Sequence, residues 1–145
     1  MKIVIQRVSS ASVRVSEEII GQIDKGLLLF AGFHKNDIEE DLRWVCNKII
    51  KLRIFEDEEG KMNRSVREVG GGLLVVSQFT LYGNAKKGTR PSFTEAASPD
   101  IAEPMYNKMI DILKESGLQT ESGKFAAMMD VKLVNSGPVT IILER

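Results

Sequence analysis

The chain has 145 residues, 43% apolar and 28% charged, which fits one compact domain spanning 1–145 and excludes the low-hydrophobicity regime of disordered chains. Lys plus Arg number 20 and Asp plus Glu number 20, so no global field draws it to nucleic acid or an anionic membrane; such contacts require a local patch. One Cys and one His exclude an intrachain disulfide and a soft-ligand zinc cage, and the early charges Lys2 and Arg7 leave no stretch resembling a signal peptide or membrane span. The expected setting is a reducing cytosol.

From Lys2 to Val15, apolar residues alternate with polar ones through Ile3, Ile5, Val8, Val13 and Val15, with a break near Ser9-Ser10, which predicts paired half-buried strands. Ile19–Ile23 is a short strand. Leu27 to Ala31 is a continuous apolar run, as expected of a strand covered on both faces. Asn36 with Glu39 three residues later resembles a capping box, and Ile38, Leu42, Val45, Cys46 and Ile49 recur at helical spacing, predicting a helix over 37–50. Cys46 lies on that apolar stripe and is read as a buried small hydrophobe. Arg53-Ile54-Phe55 leads into Glu56-Asp57-Glu58-Glu59-Gly60, a solvated acidic turn whose carboxylates are at most a weak site for a hard cation.

Gly70-Gly71-Gly72 lacks a following Lys-Ser/Thr and runs straight into a strand from Leu73 to Val76, so it is a turn rather than a phosphate loop. Ser98-Pro99-Asp100 marks a helix start, and Met105, Met109, Ile112 and Leu113 form a stripe ending at Gly117. Pro104 lacks an amide proton, so the regular helix is expected to begin only around it. Val131–Val134 and Val139–Leu143 read as two strands around the turn Asn135-Ser136-Gly137-Pro138. There is no internal repeat, linker or low-complexity segment.

Carbonyl-ester chemistry requires an attacking oxygen, a destination for its proton and donors for the developing oxyanion. A Ser-His apparatus has only His34 to draw on, in a loop with no feature tying it to a nucleophile. At the end of the buried strand stands Ser77-Gln78-Phe79-Thr80-Leu81-Tyr82. If the strand continues, Gln78 and Thr80 share one face and Phe79 and Leu81 the other. Taken alone, such a pattern is more often a strand end with satisfied polar groups than an active site. Downstream, Lys86, Lys87 and Arg90 lie within one loop rich in turn-formers. That loop reads either as solvated surface or as the best local candidate for phosphate contacts on a neutral chain.

Ser77-Gln78-Phe79-Thr80-Leu81-Tyr82, Lys87-Gly88-X-Arg90-Pro91-Ser92-Phe93 and Asn135-X-Gly137-Pro138-Val139-Thr140 resemble the signature segments of D-aminoacyl-tRNA deacylases, in order and separation. Gln6-Arg7-Val8, Ala11-Ser12-Val13, Leu52 to Phe55, Met62-Asn63 and Gly123-Lys124-Phe125 also fit. Gly83-Asn84, Pro104 and Asp130 depart from the pattern outside these motifs. The resemblance implies a mixed α/β (α+β), compact β-barrel-like single domain with two main helices, working as a homodimer; one His, one Cys and no spacing suited to a transition-metal site predict that it needs no metal, and no cofactor is expected. It implies hydrolysis of the ester joining a D-amino acid to the terminal adenosine of tRNA, with glycyl-tRNA, as mischarged on tRNA-Ala, also accepted.

By the same resemblance, Ser77, Gln78, Phe79 and Thr80 line the reaction centre with backbone amides facing the ester. Phe125 helps hold the adenine. Gly137 and Pro138 form a Gly-cisPro chirality filter that reaches the partner subunit's pocket; cis is a minority state for X-Pro bonds and the resemblance alone carries that expectation. Two mechanisms are open. Thr80 acts as a nucleophile, or backbone donors polarise the ester while water or the neighbouring ribose hydroxyl does the proton work. The second is preferred because no base stands beside Thr80 in sequence. The competing readings are a non-catalytic RNA-binding barrel using the Lys86–Arg90 loop and a general esterase built on His34.

Overall fold

The computed structural model describes residues Met1–Arg145. In chain order its elements are β1 (Lys2–Val15), β2 (Glu18–Ile23), β3 (Gly26–Gly32), α1 (Glu39–Lys51), β4 (Arg53–Glu56), β5 (Met62–Ser65), β6 (Gly72–Ser77), a 3₁₀ turn (Phe79–Tyr82), α2 (Pro99–Glu115), β7 (Thr120–Ser122) and β8 (Asp130–Glu144). The N-terminal alternation forms one long strand, not two. What the sequence shows as a break at Ser9-Ser10 is a change of neighbour: residues 2–8 pair with β3 and residues 11–15 with β2.

The main sheet runs β2-β1-β3-β6-β7, with β8 antiparallel along the other edge of β1 and a separate hairpin of β4 and β5. The pairs β3–β6 and β6–β7 are parallel, as their long connections through the helices require. The edges β2 and β7 converge at Gly21, where an added Cβ would stand 2.9 Å from the Ser122 carbonyl oxygen, so the sheet is nearly closed into a barrel. Alternation along β3 divides the core. Leu27, Leu29 and Ala31 face α1 and α2, whereas Leu28 packs with Val8, Val13, Ile23, Leu74 and Val76 on the other side. No helix is long and apolar enough to cross a membrane.

Four local expectations are corrected. Asn36 does not cap α1: the cap position is Ile38, with no side-chain cap bond. Asp37 beside it is bonded elsewhere, accepting from the Met1 ammonium at 2.6 Å and the His34 amide at 2.8 Å, and Glu39, Glu40 and Asp41 complement the helix dipole instead. Ile38 is exposed and Ile50 takes its place on the buried stripe. The second helix begins at Pro99 and passes through Pro104 unbroken, because the Asp100 carbonyl that Pro104 cannot serve lies on an exposed residue near the helix start. Its buried stripe is Ala102, Tyr106, Met109, Ile110 and Leu113, rotated from the expected one.

The C-terminal pair of strands is one strand, β8, interrupted by an excursion at residues 136–139 opposite Arg7. The acidic turn is a closed hydrogen-bonded loop. Asp57 accepts from the Glu59 and Lys61 amides and the Asn63 side chain, and those bonds, Asn63 first, hold its carboxyl below the usual range.

Candidate active site

Strand β6 carries the chain between two packed faces and releases it at Ser77, where the Gln78 amide still donates to Ala31 at 2.7 Å. The backbone then tightens. Gln78 leaves the strand at φ −147°, ψ 78°, and Phe79–Tyr82 form the 3₁₀ turn, closed by the Leu81 amide on the Gln78 carbonyl and the Gly83 amide on the Thr80 carbonyl. The expected continuation of strand alternation through Thr80 is therefore wrong. Gln78 and Thr80 do share a wall, but through the turn: the Gln78 side-chain amide donates directly to the Thr80 hydroxyl. The first amides of such a turn, those of Phe79 and Thr80, have no acceptor inside it and can face a ligand.

This turn lines a cleft of about 680 Å³. Ser77, Gln78, Phe79, Thr80 and Phe125 all line it, with Phe33, Ala97 and Ala102 beneath and the segment Ala126–Met129 along the far wall. None of the residues lining it is ionisable. Hence no side chain in the cleft can take a proton from an attacking oxygen near neutral pH, and polarisation there falls to backbone donors, the Gln78 amide and the Thr80 hydroxyl. With its oxygen already accepting from Gln78, the Thr80 hydroxyl is disposed to donate outward.

The remaining candidates lie outside the cleft. Lys86, Lys87 and Arg90 are exposed on a loop pinned at its base by reciprocal backbone bonds between Asn84 and Ser92, and none of the three forms an ion pair. The loop meets the 3₁₀ turn through Phe93, whose ring stands edge-on to Phe79 with centroids 5.1 Å apart. Gly137 and Pro138 ride on the β8 excursion, joined by a cis peptide bond, and do not line the cleft of their own chain.

Arg7, seen in the sequence only as part of a matching segment, holds this excursion from below. It is 7% exposed, and its guanidinium donates to the Ile54 carbonyl at 2.8 Å and the Ser136 carbonyl at 3.2 Å while facing Glu56 at 3.5 Å. Asn135 closes the other side, donating to the Arg7 and Val139 carbonyls at 3.0 Å each. The far wall, including Met128 and Met129, was also missed. It has neither helical nor strand periodicity, and the only sequence signal was its adjacency to Phe125.

His34 stands apart from the cleft. Its Nε2 lies 3.0 Å from Glu95, its Nδ1 accepts from the Asn36 amide, and contact with His34, then Lys35, keeps the Glu95 carboxyl below the usual range. Cys46 is buried, and loss of solvation pushes its thiol up to about 12. No group of three or more His, Cys, Asp or Glu side chains is placed to hold a metal ion. His34→Ala and chelation are each expected to change turnover by less than about tenfold, ~1.4 kcal/mol of barrier. A larger loss in a steady-state assay on either treatment would show that the cleft does not act alone.

A nearly closed mixed α/β barrel, with a strand end breaking into a donor-rich turn over an apolar cleft, defines a domain suited to holding an uncharged carbonyl group against backbone donors. Comparison with known proteins narrows this. The model of the D-Tyr-tRNA(Tyr) deacylase family matches residues 4–144, and the chain belongs to that family of hydrolases. A D-aminoacyl-tRNA deacylase of Thermotoga petrophila is 56% identical over 144 residues, covering 99% of this chain and 97% of the relative. A solved structure described as a c-Myc DNA unwinding element binding protein superposes with a TM-score of 0.93 at 41% identity, covering 100% of this chain and 99% of the other. A second, described as a probable eukaryotic D-amino acid tRNA deacylase, superposes with a TM-score of 0.86 over 98% of this chain and 97% of its own; at 16% identity it speaks for the fold.

Proposed function

We propose that this chain hydrolyses the ester of D-aminoacyl-tRNA, and of glycyl-tRNA mischarged on tRNA-Ala, at the cleft between the Ser77–Thr80 turn and Phe125. The observation that carries this reading is a cleft lined by both a donor-rich turn and the Phe125 ring, with no ionisable group among its lining residues. Water adds to the ester carbonyl carbon, the developing oxyanion is held by the Phe79 and Thr80 amides, the carbon–oxygen bond to the ribose breaks, and the ribose oxygen takes the proton. With no base in the cleft, the neighbouring ribose hydroxyl is the nearest group able to relay that proton. Thr80 serves as a donor rather than a nucleophile, and Phe125 stacks on the terminal adenine.

The working unit is a homodimer. Gly137 and Pro138 lie on the same strand as the exposed Val134 and Ile142, an apolar stretch suited to a second copy, and their main chain enters the partner's cleft, where it accepts the substrate's α-amino group and excludes an L side chain. Matched D- and L-aminoacyl-tRNAs test the function directly. Release of the D-amino acid with the L-ester spared is expected; equal rates, or none, would overturn the reading.

Lys86, Lys87 and Arg90 contact the tRNA backbone. Neutralising all three is expected to weaken binding and lower the log–log salt slope by roughly one unit per lost phosphate contact. An unchanged slope would leave the loop as solvated surface. The described function of the 41% identical structure favours a second reading, a non-catalytic nucleic-acid-binding barrel. Under it, the triple variant loses nucleic-acid affinity while the parent chain deacylates nothing.

A further inference from the structure

The segments that lead to the turn and to Phe125 are tied together behind the cleft by one side chain. Tyr106, on α2, is 1% exposed and does not line the cleft. Its hydroxyl lies 2.9 Å from the Val75 carbonyl oxygen and 3.1 Å from that of Gly123. Val75 precedes Ser77 by two residues, and Gly123 precedes Phe125 by two. The Val75 carbonyl also accepts from the Gly123 amide at 2.8 Å, whereas the Tyr106 hydroxyl is the one protein donor to the Gly123 carbonyl. The Tyr106 ring then backs the Phe125 ring, with centroids 5.8 Å apart and planes inclined at 43°.

We propose that Tyr106 is a positioning residue for the nucleobase end of the substrate, fixing the distance and tilt of Phe125 relative to the Ser77–Thr80 turn. This rests on the stacking role given to Phe125 above. Beyond Gly123 the Phe125 and Met129 side chains pack against the core, but the backbone between them has few bonds of its own. Lys124 and Ala127 close a short turn, Ala126 sits at φ 57°, and Met128 is 93% exposed. Burial raises the Tyr106 phenol above its ordinary value, so it stays protonated and remains a donor throughout the working pH range. Without the hydroxyl, the Gly123 carbonyl loses that donor and the backbone leading to Phe125 can tilt on its core packing, while the Ser77–Thr80 turn keeps the Gln78 bond to Ala31 of β3.

The test uses the full chain and two non-hydrolysable ligands: a D-aminoacyl amide of 3′-amino-3′-deoxyadenosine, and the same amide on a ribose lacking the base. Tyr106→Phe, which keeps the ring, is expected to weaken the adenosine-bearing ligand about three- to tenfold, the scale of one hydrogen bond, and to leave the abasic ligand unchanged. On D-aminoacyl-tRNA, KM rises by the same factor with kcat held. Equal weakening of both ligands, or of neither, overturns the inference, since a merely structural tyrosine would not distinguish them. Phe125→Ala is measured in parallel. If it shows no base-selective loss, the stacking reading fails and this inference fails with it; if it is selective and Tyr106→Phe is not, the positioning role alone is wrong.

Discussion

Gly137→Ala is expected to reduce D-aminoacyl-tRNA turnover by about a hundredfold or more, the scale of a misplaced positioning group. Gly137 sits at φ +108°, a region that strains any L side chain, and an added Cβ would stand 2.5 Å from Arg7 Nη2 and 3.2 Å from Val139 Cγ2. The guanidinium cannot simply swing aside, because it is buried and bonded to the Ile54 and Ser136 carbonyls. Backbone strain and disturbed bonds to a buried charge together are worth roughly 2 to 4 kcal/mol of stability. Gly60→Ala is the control. It has a similar positive φ of +77° with nothing within 4 Å, so it costs some stability and no activity. Near-normal turnover and undiminished D-over-L discrimination in Gly137→Ala would remove this main chain from the mechanism.

A second large effect is expected from a residue that does not touch the cleft. An alanine at Gly32 would place its Cβ 2.9 Å from the Gln78 carbonyl oxygen and 3.1 Å from Leu81 Cβ, neither of them the loose end of a side chain. The turn that aims the Phe79 and Thr80 amides must therefore shift by a few tenths of an ångström. Losing one oxyanion donor typically costs ~10² to 10³ in rate, and Gly32→Ala is expected in that range, with kcat falling more than KM rises. Thr80→Ala removes a single hydroxyl and should cost only about tenfold. Single-turnover rates on both variants decide the order. A Thr80→Ala loss exceeding that of Gly32→Ala, or capture of an acyl-Thr80 species, would restore threonine as the nucleophile.

The strands of the core were legible because burial on two faces leaves a run such as Leu27 to Ala31, and burial on one face leaves period-two alternation. The Phe79–Tyr82 turn was not legible in shape. Ser77 to Leu81 alternates as a strand would, and no local pattern records that the chain closes there into a 3₁₀ turn packed against Gly32 of β3. The false cap at Asn36 has a similar origin: Asp37 is claimed by an ammonium 36 positions away, which no local pattern records. Ser77, Gln78, Phe79, Thr80 and Phe125 fall together in one cleft, yet the residues alone did not pair Phe125 with the turn; family resemblance did. Arg7 stood out only as an early charge and as part of a matching segment, because its partners come from β4 and the β8 excursion.

The pairing of β1 with β8 sets the order in which the molecule can form. Lys2 pairs with Glu144 and Arg14 with Asp130, and this antiparallel ladder, interrupted between Gln6 and Ser10, spans most of both strands. Contacts so distant in sequence give a high contact order and slow folding. As the chain leaves the ribosome, β1 can zip to β2 and β3 early, but its other edge stays open until β8 arrives, and an open edge of that length is a template for pairing with another nascent chain. The Gly137 excursion hangs from that last strand and is seated on Arg7 in the first. Covering that edge of β1 and seating the excursion are thus one event, so a chain whose β8 has not yet paired lacks the main chain proposed to judge handedness.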